Sequence, residues 1–361
     1  MKLLSKKELD TLKATPRKDA LKNPEKVIKL DLTYTKKEYL KSLKEFKNLQ
    51  YLDLESNDLK VIPPETFEIK KLQYLNLIDN NIKDIPKEIG NLIHLRSLSI
   101  GNNKFESLPK EIGNLQKLEY LNLIDGRVKY YPEEFFNLSK LQEIVLQGAN
   151  VTALPEGFSK LKSLKKLWLS FNTSLNLKQV CKVLARLPEF KELILSYSYV
   201  KELPKEMEEL KQLEILELTC DHLEAKKAIV VLAKLPSLKQ LSLQDLAFIP
   251  DNIKSLKQVK KLKILQLKQY SEPAKLFSNF AELLQLDELQ IQGKGLDFIP
   301  KTVGKLTKLK KLILRANNLT TLPESIQRLK SLKYLDLELN NISEYEKTRI
   351  KKLLPNTEIK F

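Results

Sequence analysis

Three stretches of this 361-residue chain, beginning at Leu72, Leu95 and Leu309, follow one 23-residue template: L-x-x-L-x-L-x-x-N-x-L-x-x-L-P-x-x-I-x-x-L-x-x. The segment LRSLSIGNNKFESLPKEIGNLQK at 95–117 is a clear copy. Stepping the template along the chain places unit starts at Val27, Leu49, Leu72, Leu95, Leu118, Leu141, Leu164, Phe190, Leu213, Leu238, Leu262, Leu286, Leu309 and Leu332, fourteen in all. A unit this short cannot bury an apolar face alone, so consecutive units must stack and share one continuous core. Length by itself would suggest two or three ordinary domains, and the repetition removes that inference.

Each template position has a separate physical task. Side chains of a strand alternate between its faces, so positions four and six point inward with one and eleven, while three, five and seven point outward. Proline at fifteen is expected to stop a helix from forming early in the return path. Asparagine at nine is suited to bond the backbone of its own turn and of the next unit, forming a ladder. The ladder residue is present as Asn57, Asn80, Asn103, Asn172, Asn317 and Asn340, and lapses to Gly126, Ala149, Ser198, Asp221, Leu246, Tyr270 and Lys294. The central turns are therefore expected to be less regular.

In the units starting at Leu164, Leu213 and Leu262 the proline segment gives way to helical patterns at 177–187, 224–235 and 273–284. The predicted organisation is an N-terminal helical cap over 1–26, repeats over 27–342 that are irregular and partly helix-backed at 164–308, and a C-terminal cap over 343–361. The capping-box pattern SKKE at 5–8 opens the first cap, and TPRKDALKNP at 15–24 supplies an N-cap, a first-turn proline and a stop. At the other end SEYE at 343–346 starts a helix, followed by a last short strand.

A period in the twenties with L-x-x-L-x-L resembles the leucine-rich repeat family. In detail it is similar to the bacterial L-P-x-x-I-G-x-L subclass and to leptospiral leucine-rich repeat proteins, through motifs such as LPKEIGNL at 108–115. The resemblance implies an α/β leucine-rich repeat solenoid: a right-handed horseshoe with about fourteen parallel strands on its concave face and capped ends. It also implies a protein-binding role in host interaction or virulence, at the cell surface or secreted once an export signal is removed. The opening MKLLSKKELD meets Lys6, Lys7 and Glu8 before any apolar region forms, so no signal peptide is legible and a cytoplasmic location is the alternative. The longest apolar run, AIVVLA at 228–233, is far short of the roughly twenty residues of a membrane helix.

The only tryptophan, Trp168, lies at outward position five between Leu167 and Leu169. Val145 and Ile194 hold the same position in the neighbouring units, predicting an apolar row on the concave face. Tyr120, Ile124 and Ile215 at adjoining outward positions, and Phe171, Tyr197 and Tyr199 in the turns, extend this to a partner-binding patch of nine residues. The expected ligand is a protein or peptide, bound by a monomer.

The formal charge of +17 raises the rival of nucleic acid, membrane or glycosaminoglycan binding. On the outward strand positions, however, nine acids outnumber five bases, which separates the lysines from the aromatics that nucleic-acid stacking requires. The alternative function is thus adhesion of anionic polymers through lysines on the convex side. His94 is expected in an exposed loop. Cys220, Asp221 and His222 offer a thiol beside an imidazole but nothing that would serve as an oxyanion hole, and no phosphate-cradling glycine loop or metal-ligand spacing appears. The chain is read as a non-enzyme with no cofactor and no metal site, its two cysteines as free thiols.

Overall fold

The computed structural model describes residues 2–35, 37–266, 273–293 and 296–361. The chain forms two compact units, the first made of 1–174 and 186–190, the second of 175–185 and 191–361. In the first, strands β1 (Lys29–Asp31), β2 (Tyr51–Asp53), β3 (Tyr74–Asn76), β4 (Ser97–Ser99), β5 (Tyr120–Asn122), β6 (Glu143–Val145) and β7 (Lys166–Trp168) pair in sequence order, all parallel. In the second, the same order runs through β8 (Glu192–Leu195), β9 (Ile215–Thr219), β10 (Gln240–Gln244), β11 (Lys261–Leu265), β12 (Glu288–Gln292), β13 (Lys311–Ile313), β14 (Tyr334–Asp336) and β15 (Glu358–Lys360). The fifteenth strand is the short one expected in the C-terminal cap.

Register follows the template because only one alignment buries every leucine. Leu52, Leu75, Leu98, Leu121, Ile144 and Leu167 are mutual partners across β2–β7, and all are buried. One unit departs from the sequence reading. Leu241 pairs with Leu262 and Leu262 with Leu289, so Leu262 holds position four and its unit starts at Val259, three residues before the expected start. VKKLKILQL contains two overlapping matches to the motif, and pairing with both neighbouring strands selects the earlier one. The shift places Lys261 and Lys263 on the outward face and Leu262 and Ile264 in the core.

The ladder forms as the asparagines predict. Asn80 Nδ2 donates to the carbonyls of Leu54 (3.0 Å), Leu77 (3.0 Å) and Ile78 (3.1 Å), while its Oδ1 accepts from the amides of Asn57 (3.1 Å) and Leu59 (2.9 Å). Asn57, Asn103, Asn172, Asn317 and Asn340 bond in the same way. Among the positions read as lapsed, Tyr270 and Lys294 lie outside the described residues, and the shift of register to Val259 removes Tyr270 from position nine.

Position eight, just before the ladder residue, takes the left-handed conformation in most units, as at Asp79 (φ 57°), Asn102 (φ 47°) and Asp125 (φ 48°). Aspartate and asparagine tolerate that region, whereas a branched apolar side chain crowds its own backbone there. Leu339 occupies it at φ 58° with 68% of its surface exposed. Replacing Leu339 by asparagine is therefore expected to raise stability by about 0.5–1 kcal/mol, read as a shift of the urea midpoint at unchanged slope.

On the return path, proline does more than stop a helix. Pro86, Pro109, Pro155 and their equivalents cap a single 3-10 turn, such as Lys110–Asn114, because the fixed φ leads into the turn and no proline N–H is required there. Where the proline is lost, as in the units starting at Leu164 and Leu213, α-helices form instead, and a third forms although Pro273 holds position fifteen in the unit that starts at Val259, so loss of proline is not the whole cause there. Numbering helices from the N-terminus, α1 (Lys6–Thr11), α2 (Arg17–Ala20) and α3 (Lys37–Leu40) precede these backs, which are α4 (Leu177–Leu184), α5 (Ala225–Leu232) and α6 (Pro273–Ala281). Each ends about a turn earlier than its sequence pattern. Behind β5–β7 the first unit's core is aromatic: Phe135, Phe136 and Phe158 pack with ring centroids 5.5–5.9 Å apart. Gly157 makes room for this, since a Cβ there would lie 2.3 Å from the Phe136 ring.

Both ends are tied down. Ser5 and Glu8 form the expected capping box on α1, and Gln50 and Gln73, both buried, bind the backbone of Lys2 and Leu4. Thr15 was expected as the cap of α2 but bridges to Leu30, and Pro16 takes the cap position. In the second unit, Ser343 caps α7 (Glu344–Leu353), and β15 closes the sheet beside β14.

Candidate binding surface

On the first unit's sheet, the outward side chains of β5–β7 form a polar and aromatic weave. Tyr120, Glu143 and Lys166 are partners in register, as are Asn122, Val145 and Trp168. Trp168 donates its Nε1–H to Glu143 Oε1 at 2.7 Å, and Lys166 Nζ lies 4.4 Å from the ring centroid. The indole is thus half-buried, held by a carboxylate on its edge and an ammonium on its face, rather than freely exposed as the alternation alone implied. Val145, flanked by Asn122 and Trp168, keeps only 8% exposure. Tyr120 and Ile124 are half-buried, and Phe171 is exposed. Burial foremost, then the Glu143 carboxylate, raises the pKa of Tyr120, keeping it a neutral hydrogen-bonding group.

On the second unit's sheet, Ile194 is only 3% exposed within the fully apolar Leu193–Ile194–Leu195 run. Its partner in register is the longer Glu217. The expectation of an exposed apolar row through Val145 and Ile194 is therefore corrected: short branched side chains sink between taller neighbours. Ile215 is half-buried. Tyr197 and Tyr199 are exposed, the latter at 56%, and both lie in the left-handed region at φ 55° and 47°. Tyr199 stacks on His222 with centroids 5.1 Å apart and planes at 18°, and Asp221 Oδ2 is 3.3 Å from His222 Nε2. Tyr197 is fixed by its N–H to Thr219 Oγ1 (2.7 Å) and by Gln244, which donates to its hydroxyl.

The sequence reading missed the Glu143–Lys166 clamp and the His222 stack. Both were legible as register: residues at position three of adjoining units straddle the position-five indole, and position ten of one unit meets position ten of the next. His94 is half-buried rather than exposed, with Lys117 Nζ 2.8 Å from Nδ1. Burial, then Lys117 and Arg96, lowers its pKa. Cys220 is buried and pushed up to about 12 by that burial, so it holds its proton at neutral pH and is no thiolate nucleophile. Cys181 is likewise a buried free thiol. Among the described residues no group of three or more His, Cys, Asp or Glu side chains could hold a metal ion.

Two family models, described as leucine-rich repeat region and leucine rich repeat, match residues 86–197 and residues 47–105 and 285–342 respectively. The chain is a leucine-rich repeat protein. It is similar to the solved structure of a leucine-rich repeat protein of Leptospira interrogans, at 29% identity over 97% of this chain and 100% of that one, with a TM-score of 0.63. An internalin of Listeria monocytogenes is 23% identical over 88% of this chain and 82% of its own, TM-score 0.51. TLR13, solved in complex with ssRNA13, is 22% identical over 89% of this chain and 55% of its own, TM-score 0.54. The latter two show the fold alone. No curated protein matches by sequence. Leucine-rich repeat proteins are typically binding scaffolds, and no helix among the described residues is long and apolar enough to cross a membrane.

Proposed function

We propose that this leucine-rich repeat protein is a non-enzymatic scaffold that binds a protein or peptide through the outward face and turns of its strands. Trp168, Tyr120, Ile124 and Phe171 serve in the first unit; Tyr197, Tyr199 and Ile215 serve in the second. The observation that carries the reading is the backbone at Phe171, Tyr197 and Tyr199. Aromatic side chains are held there in a left-handed conformation that favours Asp, Asn or Gly, with their rings in water. Strain and exposed apolar surface both oppose stability, and a partner that covers the rings gives them a purpose. The Tyr197 and Tyr199 rings are also held in place before any partner arrives, by Gln244 and by the His222 stack, which lowers the entropy lost on binding.

The test is affinity capture with the wild type and with Tyr199→Asn, a change compatible with the local backbone. The expected result is a loss of about 2 kcal/mol in binding, roughly thirtyfold, with the melting temperature unchanged or slightly higher. If binding instead survives the substitution and collapses between low and moderate salt, the lysine-rich surface is binding an anionic polymer and the aromatic reading fails. The proposal extends to a host partner met at the cell surface or outside the cell. That extension rests on the family resemblance and is checked by protease treatment of intact cells.

A further inference from the structure

The asparagine ladder breaks twice in succession in the first unit, at Gly126 and Ala149, and a cavity of about 600 Å³ lies at the break. Where the ladder is intact, the asparagine oxygen accepts a backbone N–H 21 residues earlier, or 22 at Asn57: Leu59 to Asn80 at 2.9 Å, Ile82 to Asn103 at 3.0 Å, Val151 to Asn172 at 2.8 Å. The corresponding donor opposite residue 149 is the N–H of Val128. Ala149 offers no oxygen, and among the described residues that N–H has no acceptor. Val128 and Ala149 both line the cavity, so the missing carboxamide and the empty volume coincide.

The remaining walls suit one kind of ligand. Tyr131, backed edge to face at 5.4 Å by the fully buried Phe158, gives an aromatic wall, and its hydroxyl has no hydrogen-bond partner among the described residues. Burial raises the Tyr131 pKa, so its hydroxyl remains a donor. Of the two cations at the cavity, Lys129 is paired with Glu106 at 2.9 Å, while Arg127 has no ion pair among the described residues. The charged lining therefore carries one uncompensated positive charge beside an orphaned amide donor.

We propose that this cavity binds a small carboxylate with an aromatic or branched aliphatic body, one carboxylate oxygen replacing the absent ladder oxygen at the Val128 N–H, the other pairing with Arg127, and the body lying against Tyr131. This is independent of the protein-binding face. The probe is 3-phenylpropionate, followed by saturation-transfer NMR and calorimetry on the full chain, with 3-phenylpropanol as the neutral control. The wild type is expected to bind the acid saturably with a Kd at or below about 1 mM and the alcohol at least about tenfold more weakly. Ala149→Asn restores the ladder group where φ is not left-handed; it should abolish binding while leaving the melting temperature unchanged or raised. Arg127→Gln, on the surface, should weaken the acid about tenfold and leave the alcohol unaffected. Absence of saturable binding by the wild type, equal binding of acid and alcohol, or undiminished binding in either variant would overturn the assignment.

Discussion

Asn80→Ala is expected to lower the unfolding free energy by about 3–4 kcal/mol. The Asn80 side chain is buried and takes part in five hydrogen bonds, three given to carbonyls and two received from amides. Alanine supplies neither donor nor acceptor, and a buried group left without a partner costs about 1–3 kcal/mol. Leu77 O, Leu54 O and the Asn57 and Leu59 amides cannot all find water, because the neighbouring turns close over them. A lost contact on the surface would cost a fraction of this. The measurement is a urea melt, with amide exchange of Asn57 and Leu59 as the local readout: protection there should fall more than at β6 and β7, since a repeat stack transmits stability mainly between neighbours. Uniform loss of protection would show that the ladder stabilises the whole unit rather than its own turn.

The second large effect is set by pH at the C-terminal end. Glu346, only 7% exposed, accepts from Arg349 Nε (2.8 Å) and Nη2 (2.6 Å), from Thr321 Oγ1 (2.7 Å) and from the Leu322 amide (3.1 Å). The hydrogen bonds from Arg349 are the largest cause pulling its pKa from 4.5 down to about 2. A carboxyl whose folded pKa lies below its unfolded value stabilises the fold at every pH above that unfolded value. The stabilisation is lost as pH falls from about 4.5 toward 2, where the folded form also takes up its proton. A gap of this size corresponds to about 3 kcal/mol. Glu346→Gln should remove most of that slope from a plot of stability against pH, at a cost near neutral pH. A variant with the wild-type slope would assign acid lability elsewhere.

The repeat was sufficient for the strand positions other than that of β11, for the parallel order, for the ladder bonds and for the existence of the three helical backs. Those features recur at the template's own spacing, so one copy of the motif predicts its equivalent in the next. Trp168 shows where such reasoning stops. Alternation correctly placed it outward, yet Glu143 and Lys166, 25 and two residues earlier in sequence, decide how much of it meets water.

The sequence by itself determined that the chain stacks leucine-rich units, because no other arrangement buries leucines recurring at one, four and six. Tertiary structure decided three things that local pattern left open. It set the unit after β10 to start at Val259, since VKKLKILQL satisfies the motif twice and only pairing with Leu241 and Leu289 distinguishes the two. It buried Val145 and Ile194, since exposure on a sheet depends on the height of side chains one strand away. It turned the change from asparagine to Ala149 into a cavity with an orphaned Val128 amide, because the group that asparagine would satisfy belongs to the preceding unit. In each case the deciding contact lies about one repeat away, beyond the range of any residue's own neighbours in sequence.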